Sequence, residues 1–277
     1  MKTLFFILIQ ICLSIICNGQ AFVNIPDTNF LKALIKNKVD INNNNKIEQE
    51  EASKITLLYL KDSFIKDLTG IEFFDSLQEL NCSFNQIKSL NLSKNIALEY
   101  LYGDENDLDE IDIRNNKLLL HVHCARNRIT KIDVSQNLEL VHLDCNNNPI
   151  DSLDFSKNLK LRKLEAYDNL IRKLDLTQNS DLFNVVVKNN PYLKQICITK
   201  KHLNLTVEAF QDWVKDENAT WNSNCITGIE EGLALLKTKK VERIYNSLGQ
   251  EIKIENAQNG LFIFQYSDGS VKKMFLD

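Results

Sequence analysis

The stretch "LVHLDCNNNPIDSLDFSKNLK", residues 140–160, places aliphatic residues and asparagines at positions that recur along the chain. Cutting the sequence every 21 residues gives successive copies that need no gap and that all begin with leucine: Leu77, Leu98, Leu119, Leu140, Leu161 and Leu182. Position 4 of each copy is leucine or valine, and position 6 is small, aliphatic or cysteine. This period is typical of solenoids, in which each unit buries its apolar edge against the next.

Two positions of the repeat are always asparagine. Position 9 is Asn85, Asn106, Asn127, Asn148, Asn169 and Asn190, and position 19 is Asn95, Asn116, Asn137, Asn158 and Asn179. Where the chain bends after a strand, buried main-chain groups lose their ladder partners, at a cost of about 1–3 kcal/mol each. An amide side chain offers both donors and an acceptor. We therefore predict that each asparagine bonds its own loop and a neighbouring repeat.

The consensus L-x-x-L-x-C-x-x-N-x-I-x-x-L-D-L-S-x-N resembles the leucine-rich repeat family, in particular the short 21–22-residue bacterial repeats of the internalin-like kind. The resemblance covers residues 55–198 and includes a degenerate first copy that begins at Ile55 and has one extra residue. It implies an α/β-type solenoid of seven repeats. Parallel strands would form its concave side, and mostly irregular or 3₁₀ turns the other.

The N-terminal segment, residues 1–19, has Lys2, an apolar run and a small-residue site near Gly19, the pattern of a secretory signal peptide. The run is too short to span a bilayer comfortably. The formal net charge is -4, and no basic stripe occurs, which argues against a nucleic-acid partner. The sequence thus predicts a secreted or cell-surface protein.

Residues 20–54 are predicted to be an N-terminal cap, with a helix capped by Asp27 or Thr28. The following segment "DINNNNKIEQEE" resembles an EF-hand loop, with oxygen ligands at the spacing Ca²⁺ requires: Asp40, Asn42, Asn44, Lys46 through its carbonyl, Glu48 and Glu51. The usual glycine of such loops is Asn45, and only three carboxylates are present, which predicts weak, structural binding. The alternative is a solvated asparagine-rich loop without an ion.

Residues 199–226 are predicted to be the C-terminal cap, because the apolar end of a solenoid needs a cover. The prediction includes a helix over residues 207–214 and a disulfide between Cys197 and Cys225, since export permits disulfides. Cysteines at position 6 of the repeats point inward and are interpreted as buried free thiols: Cys82, Cys124 and Cys145.

Positions 3, 5 and 7 of each repeat point away from the core, because side chains alternate along a strand. They predict a concave binding face formed by Tyr100, Tyr102, His121, His123, His142, Asp144, Glu165 and Tyr167. Exposed tyrosine and histidine on a rigid sheet suit recognition of a protein or glycan.

The three histidines of this face allow a second interpretation. His121 and His123 share a strand, and His142 is expected beside His121 at a strand spacing of about 4.8 Å. Imidazoles at such spacing could hold Zn²⁺, so a metal-dependent hydrolase is one alternative. However, no catalytic motif or general base is identifiable. A non-catalytic binding protein is the preferred prediction, and a structural or self-assembling surface component is a further alternative.

The tail, residues 227–277, has alternating patterns with turns at asparagine, glycine and serine, which predict a small antiparallel sheet. Its segments "IYNSLGQEI", "NGLFIFQYSDG" and "KKMFL" resemble the C-terminal sorting domains of proteins exported by the type IX secretion machinery. That resemblance implies a secretion address that could be removed during export. The alternative is an ordinary β cap or self-association module.

Overall fold

A computed structural model describes residues 21–203, 213–223, 241–246, 250–252, 260–266 and 271–276. The signal peptide predicted at residues 1–19 lies outside these residues. The described helices are α1 (Thr28–Lys36), α2 (Gln49–Ala52) and α3 (Lys200–Leu203), with a 3₁₀ turn at Ile71–Phe73. The strands are β1 (Leu57–Tyr59), β2 (Glu79–Asn81), β3 (Tyr100–Tyr102), β4 (His121–His123), β5 (His142–Asp144), β6 (Lys163–Glu165), β7 (Leu174–Asp175), β8 (Asn184–Val186), β9 (Gln195–Cys197), β10 (Trp213–Val214), β11 (Thr220–Asn222), β12 (Val241–Tyr245), β13 (Glu251–Ile252), β14 (Gly260–Tyr266) and β15 (Val271–Leu276).

The repeats stack into one parallel sheet. Its order is β1-β2-β3-β4-β5-β6-β8-β10. From β1 to β8 each strand pairs with the next at a spacing of one repeat, so Leu101 lies opposite Val122. Residues at position 4 of the repeat are fully buried between the strands and the opposite wall. The predicted leucine-rich repeat register and parallel sheet are therefore confirmed.

The opposite wall of the solenoid is a shorter parallel ladder. Strands β11, β9 and β7 pair in that order, and isolated parallel bridges join Asn91 to Asp112 and Ile111 to Ile132. Between residues 55 and 198, all of which the structure describes, Ile71–Phe73 is the one helical turn. The array is therefore a β-solenoid with few helices, so the α/β class that the sequence suggested overstates its helix content.

Each repeat turns inward through a left-handed residue at position 8. This residue has a φ of 53–59° in all six copies and is never glycine: Phe84, Glu105, Arg126, Asn147, Asp168 and Asn189. Such backbone is unfavourable for most L-residues, so other contacts must hold it. The asparagine that follows at position 9 provides those contacts.

Asn127 shows how position 9 works. Its Nδ2 donates to the main-chain oxygens of Gly103 (3.0 Å) in the preceding repeat and of Cys124 (3.0 Å) and Ala125 (3.2 Å) in its own loop. Its Oδ1 accepts from the amide of Leu108 at 3.0 Å. The predicted bonding to both the residue's own loop and a neighbouring repeat is confirmed.

Position 19 forms a second ladder, buried deeper than the first. Asn137 is completely buried, and its Nδ2 donates to the oxygens of Ile113 (3.0 Å) and Asn116 (2.8 Å). The other asparagines of this position in the array repeat the pattern. Each one adds a side-chain donor to carbonyl oxygens of the preceding repeat that already accept a main-chain amide, such as Ile113 O and Asn116 O.

Helix α1 covers the first repeat. The Asp27 carboxylate caps it as predicted by accepting from the amides of Asn29 (2.8 Å) and Phe30 (3.1 Å). Phe30 and Leu34 are fully buried and belong to the same core as the repeats. The amphipathic face therefore continues the solenoid core at its N-terminal end.

At the other end, the structure corrects the helix predicted over residues 207–214. Trp213 and Val214 form β10, which pairs with β8, and the amide of Val187 donates to the Val214 oxygen at 2.8 Å. The open edge of a sheet presents unpaired main-chain groups, and a further strand satisfies them as a helix cannot. Residues 207–212 of the predicted helix lie outside the described residues. Trp213 and Trp221 pack against the core, with ring centroids 5.2 Å apart.

The chain divides into two compact units, Met1–Ser223 and Asn224–Asp277. In the second unit, strands β13, β12, β14 and β15 form an antiparallel sheet in that order. β14 and β15 pair from Gly260 opposite Leu276 to Gln265 opposite Val271. Ile244 and Phe264 are buried and lie opposite each other on β12 and β14.

Candidate functional site

The sheet face, defined as positions 3, 5 and 7 of the repeats, brings the predicted residues together in its centre. β4 carries His121 and His123, and β5 carries His142 and Asp144 directly beside them. β3 places Tyr100 beside His121 and Tyr102 beside His123, and β6 places Glu165 beside Asp144. Tyr167 follows β6 at position 7, where its amide donates to the Asn146 side chain at 2.8 Å.

The tyrosine and histidine rings pack against one another. The ring centroids of Tyr100 and His121 are 5.2 Å apart at an interplanar angle of 57°, and those of Tyr102 and His123 are 5.0 Å apart at 65°. These tilted and edge-to-face arrangements are the favourable ones for aromatic pairs. The rings therefore lie half-buried with restricted freedom, and not as fully exposed as the sequence suggested.

A chain of polar contacts crosses from β4 to β6. His123 Nε2 lies 3.2 Å from His142 Nδ1, and His142 Nε2 lies 2.9 Å from Glu165 Oε2. Lys163 Nζ contacts the same Glu165 oxygen at 2.6 Å. A carboxylate can only accept, so His142 Nε2 carries the proton and its Nδ1 presents a lone pair to His123.

Burial decides the charge states of the imidazoles. His142 is 8% exposed, and burial, aided by His123 and Lys163, lowers its pKa to about 4. Burial also lowers the pKa values of His121 and His123. Burial works against ionisation of Glu165, but hydrogen bonds from Lys163 and His142 lower its pKa overall. At neutral pH the cluster therefore consists of neutral imidazoles beside an ionised Glu165.

Two further carboxylates face the cluster. Burial and the charges of Glu165 and Asp104 raise the pKa of Asp144 to about 6, and burial raises the pKa of Asp104. Asp104 Oδ1 accepts from the Ala125 amide at 2.8 Å, which fixes its position. Two sets of potential ligand atoms result, each within 4.8 Å of one another: one from His121, His123 and His142, the other from Asp104, His123 and Asp144.

The repeat columns place Asp104 at position 7 and Lys163 at position 3 of the face, but neither was among the binding residues selected from the sequence. Tyr59 is 50% exposed on β1, beside Asn81 on β2. It was missed because the first repeat is degenerate and has one extra residue.

The EF-hand-like loop lies between α1 and α2. Asn45, at the position usually held by glycine, has a φ of 62°. Asp40 accepts from the amides of Asn44 (3.1 Å) and Asn45 (2.9 Å), and Glu51 accepts from those of Ile41 (2.8 Å) and Glu48 (3.0 Å). The predicted ligands thus line one compact loop. Among the described residues, however, the acidic and imidazole groups that converge in threes lie on the sheet face.

The carboxylate of Glu48 occupies the middle of this loop. Its oxygens accept from the side-chain amides of Asn44 at 2.7 Å and Asn42 at 3.2 Å. Lys46 donates its main-chain amide to Asn44 Oδ1 at 2.8 Å. Both asparagine amides would have to turn for their oxygens to face an ion.

The cysteines separate into two groups. Cys82, Cys124 and Cys145 are free and buried, as predicted, and burial raises the pKa of the Cys82 thiol to about 12. Cys197 ends β9 and is not one of the free cysteines among the described residues. Cys225 lies outside those residues, so the Cys197 to Cys225 bridge stays a prediction.

Solved structures with a similar fold include two proteins of Listeria monocytogenes and one of Leptospira interrogans. The functional domain of InlJ from Listeria monocytogenes, which includes a cysteine ladder, matches with a TM-score of 0.60 and 28% identity over 76% of this chain and 50% of that chain. An internalin, InlF, of the same species matches with a TM-score of 0.53 and 19% identity over 74% and 72%. A leucine-rich repeat protein of Leptospira interrogans matches with a TM-score of 0.51 and 20% identity over 64% and 46%.

This chain spans half the length of the InlJ chain. No family profile and no curated protein matches the sequence. None of the described helices is both long and apolar enough to cross a bilayer. The stacked parallel sheet and the likeness to InlJ together show that this chain has the leucine-rich repeat fold, in its short-repeat β-solenoid form.

Proposed function

We propose that this chain is a non-catalytic binding protein that recognises another protein through the sheet face. The observation that carries the proposal is the packed row of rings on adjacent strands, in which Tyr100 and Tyr102 lie against histidines. Rings that are already held in place lose little conformational entropy on binding, and tyrosine is among the residues enriched at binding hot spots. Parallel-sheet solenoids offer such extended surfaces for recognition.

The charge of the sheet face indicates the kind of partner. The face carries four carboxylates against three lysines: Glu79, Asp104, Asp144 and Glu165 against Lys61, Lys163 and Lys188. We therefore expect a partner with a basic contact surface, because complementary charge speeds encounter and sets orientation.

Protein and glycan arrays, probed in parallel with the purified full chain, test this proposal. We expect binding to a protein, and surface plasmon resonance with that protein should show a loss of at least about tenfold in affinity for Tyr59→Ala, Tyr100→Ala or Tyr102→Ala. The matched control is Tyr192→Ala, since Tyr192 is 50% exposed but lies outside the sheet face and stacks on Arg172. Equal losses for Tyr192→Ala, or binding to glycans alone, would contradict the proposal.

We also propose export to the cell surface or medium, with residues 1–19 as signal peptide and residues 227–277 as an address for the type IX secretion machinery. The support is the sequence resemblance of the tail together with its four-stranded antiparallel sheet. Mass spectrometry of the exported protein should show a start near residue 20. Deletion of residues 227–277 should retain the protein inside the cell envelope, and unchanged export after that deletion would reject the address.

Weak Ca²⁺ binding by the EF-hand-like loop is a separate proposal. Its support is the left-handed Asn45 at the glycine position and the closure of the loop by Glu51 onto its first residues. Thermal melts of wild type and Glu51→Gln, each with and without millimolar Ca²⁺, provide the test. Only wild type should gain stability, and Glu50→Gln serves as the control because Glu50 is exposed and pairs with Lys54. Equal shifts of the thermal midpoint in wild type and Glu51→Gln would favour the alternative, a solvated loop without an ion.

A further inference from the structure

We propose that the sheet face binds a divalent transition-metal ion, Zn²⁺ by preference, through the imidazole nitrogens of His121, His123 and His142. This site is independent of the protein partner proposed above. The ligand atoms come from two neighbouring strands and lie within 4.8 Å of one another. The shared register of β4 and β5 places them there, since His121 pairs directly with His142.

The separation of two of the ligands matches a metal site. His123 Nε2 and His142 Nδ1 are 3.2 Å apart. Two nitrogens bound to tetrahedral Zn²⁺ at about 2.0–2.1 Å each lie roughly 3.3 Å apart. The protein therefore already holds two imidazoles at ligand spacing, and a side-chain rotation of His121 would complete the set.

His142 has the kind of hydrogen-bond partner on its second ring nitrogen that metal-binding histidines usually have. Glu165 accepts from His142 Nε2 at 2.9 Å, which leaves the Nδ1 lone pair directed toward His123. Lys163 holds Glu165 from the other side at 2.6 Å. A carboxylate that orients a histidine in this way is a regular companion of metal ligation, because it fixes the tautomer and strengthens the donor nitrogen.

Without a metal, the Nε2–H group of His123 donates a hydrogen bond to Nδ1 of His142. To bind a metal through Nε2, His123 must carry its proton on Nδ1 instead. This is a change of tautomer, and the protein neither gains nor loses a proton. Oxygens of Asp104 and Asp144 lie within 4.8 Å of a ring nitrogen of His123. Their negative charges favour a cation at this point, and they repel one another as long as none is bound.

The donor set selects the kind of ion. Imidazole nitrogens suit Zn²⁺, Cu²⁺ and Ni²⁺, whereas Ca²⁺ takes oxygen ligands. The thiols of Cys124 and Cys145 are fully buried behind the sheet and are not part of the face. Three protein ligands leave a fourth coordination position of a tetrahedral ion open toward solvent.

Isothermal titration calorimetry of tag-free, chelator-treated full chain with ZnCl₂ tests the proposal. We expect one Zn²⁺ per chain with micromolar or tighter affinity, and cobalt substitution should give the visible absorption of a tetrahedral nitrogen-containing site. His123→Ala should abolish binding. Glu165→Gln should weaken it by about tenfold to a hundredfold while all three ligands remain.

Tyr192→Ala and Glu50→Gln are the matched controls. The first removes an exposed tyrosine outside the sheet face, and the second alters an exposed carboxylate that pairs with Lys54, so both should keep wild-type Zn²⁺ affinity. Circular dichroism of each variant without metal checks that it is folded. Absence of binding by wild type would overturn the proposal. It would also fall if affinity survived His123→Ala, or if Asp104→Asn with Asp144→Asn abolished binding while His121→Ala did not.

Discussion

The side-chain amide of Asn137 donates to the main-chain oxygen of Asn116 across 2.8 Å, and both side chains are completely buried. Asn116 makes the same bond to Asn95 in the repeat before it, also at 2.8 Å. A line of amides that runs through five consecutive repeats therefore holds the array together in addition to the aliphatic core. Because each amide bonds the main chain of the preceding repeat, the substitution of one asparagine removes contacts from two repeats.

Asn137→Ala should lower the free energy of unfolding by about 1–3 kcal/mol. It removes two buried hydrogen bonds, to the Ile113 and Asn116 oxygens, and each contributes about 0.5–1.5 kcal/mol. Both oxygens keep a main-chain donor. Urea denaturation followed by circular dichroism measures the change. Lys131→Ala, an exposed substitution in the same repeat, should remain within about 0.5 kcal/mol of wild type. Comparable small effects for both variants would mean that the ladder contributes little.

Position 8 of the repeat should prefer glycine over any β-branched residue. Glu105 has a φ of 54°, a backbone conformation that costs roughly 1–2 kcal/mol for an L-residue. We expect Glu105→Gly to be at least as stable as wild type in urea denaturation and Glu105→Val to be less stable by about 1–2 kcal/mol.

The same two substitutions at exposed Lys131, which lacks a positive φ, control for surface effects. There the order should reverse, with glycine the less stable variant, because glycine loses more backbone entropy on folding. Valine and glycine in the same order at both positions would show that the left-handed backbone at Glu105 is not limiting.

Two glycines should respond in opposite ways to alanine. A Cβ on Gly70, whose φ is 106°, would come within 2.9 Å of the Asn24 oxygen and of Val23 Cγ1. Gly103 has ordinary backbone, and its Cβ would meet its nearest neighbour at 3.7 Å. We expect Gly70→Ala to lower the thermal midpoint by several degrees, whereas Gly103→Ala leaves it unchanged or raises it. A larger loss at Gly103 would contradict this packing argument.

Stability should depend on pH through Asp144. Its pKa is raised to about 6, above the value of about 3.9 for an unfolded chain, so the folded state binds the proton more tightly. The stabilising effect of that proton is complete below pH ~4 and is lost as pH rises through 6. At neutral pH the folded protein therefore holds an unfavourable charge at this position.

Asp144→Asn removes that charge but keeps an acceptor for the Asn146 amide, which now donates to Asp144 Oδ1 at 3.1 Å. With chelator present, it should raise the free energy of unfolding at pH 7.5 by about 1–2 kcal/mol and change it little at pH 4. Denaturation of wild type and variant across this range gives the difference. A variant that is equally stable at pH 7.5, or more stabilised at pH 4, would show that Asp144 is not strained by its charge.

Much of the site could be predicted because the repeat is regular. Once Leu119 and Leu140 are assigned to position 1, His121 and His142 must pair, and the structure places them so. The EF-hand-like loop was recognisable from its spacing, and Asn45 does adopt a positive φ. Segments without the repeat were harder to predict: Trp213 lies in a strand although its spacing suggested a helix, because the open sheet edge outweighs local periodicity.

By itself, the sequence determined the register of the array, the inward residues and the two asparagine ladders. A strict period forces equivalent residues into equivalent places, whatever their neighbours. The tertiary structure decided the contact of His123 with His142, the burial of His142 and the hydrogen bond from His142 Nε2 to Glu165. Those contacts run diagonally between non-equivalent positions of adjacent strands. They depend on how unlike side chains share limited space above the sheet, and no single repeat carries that information.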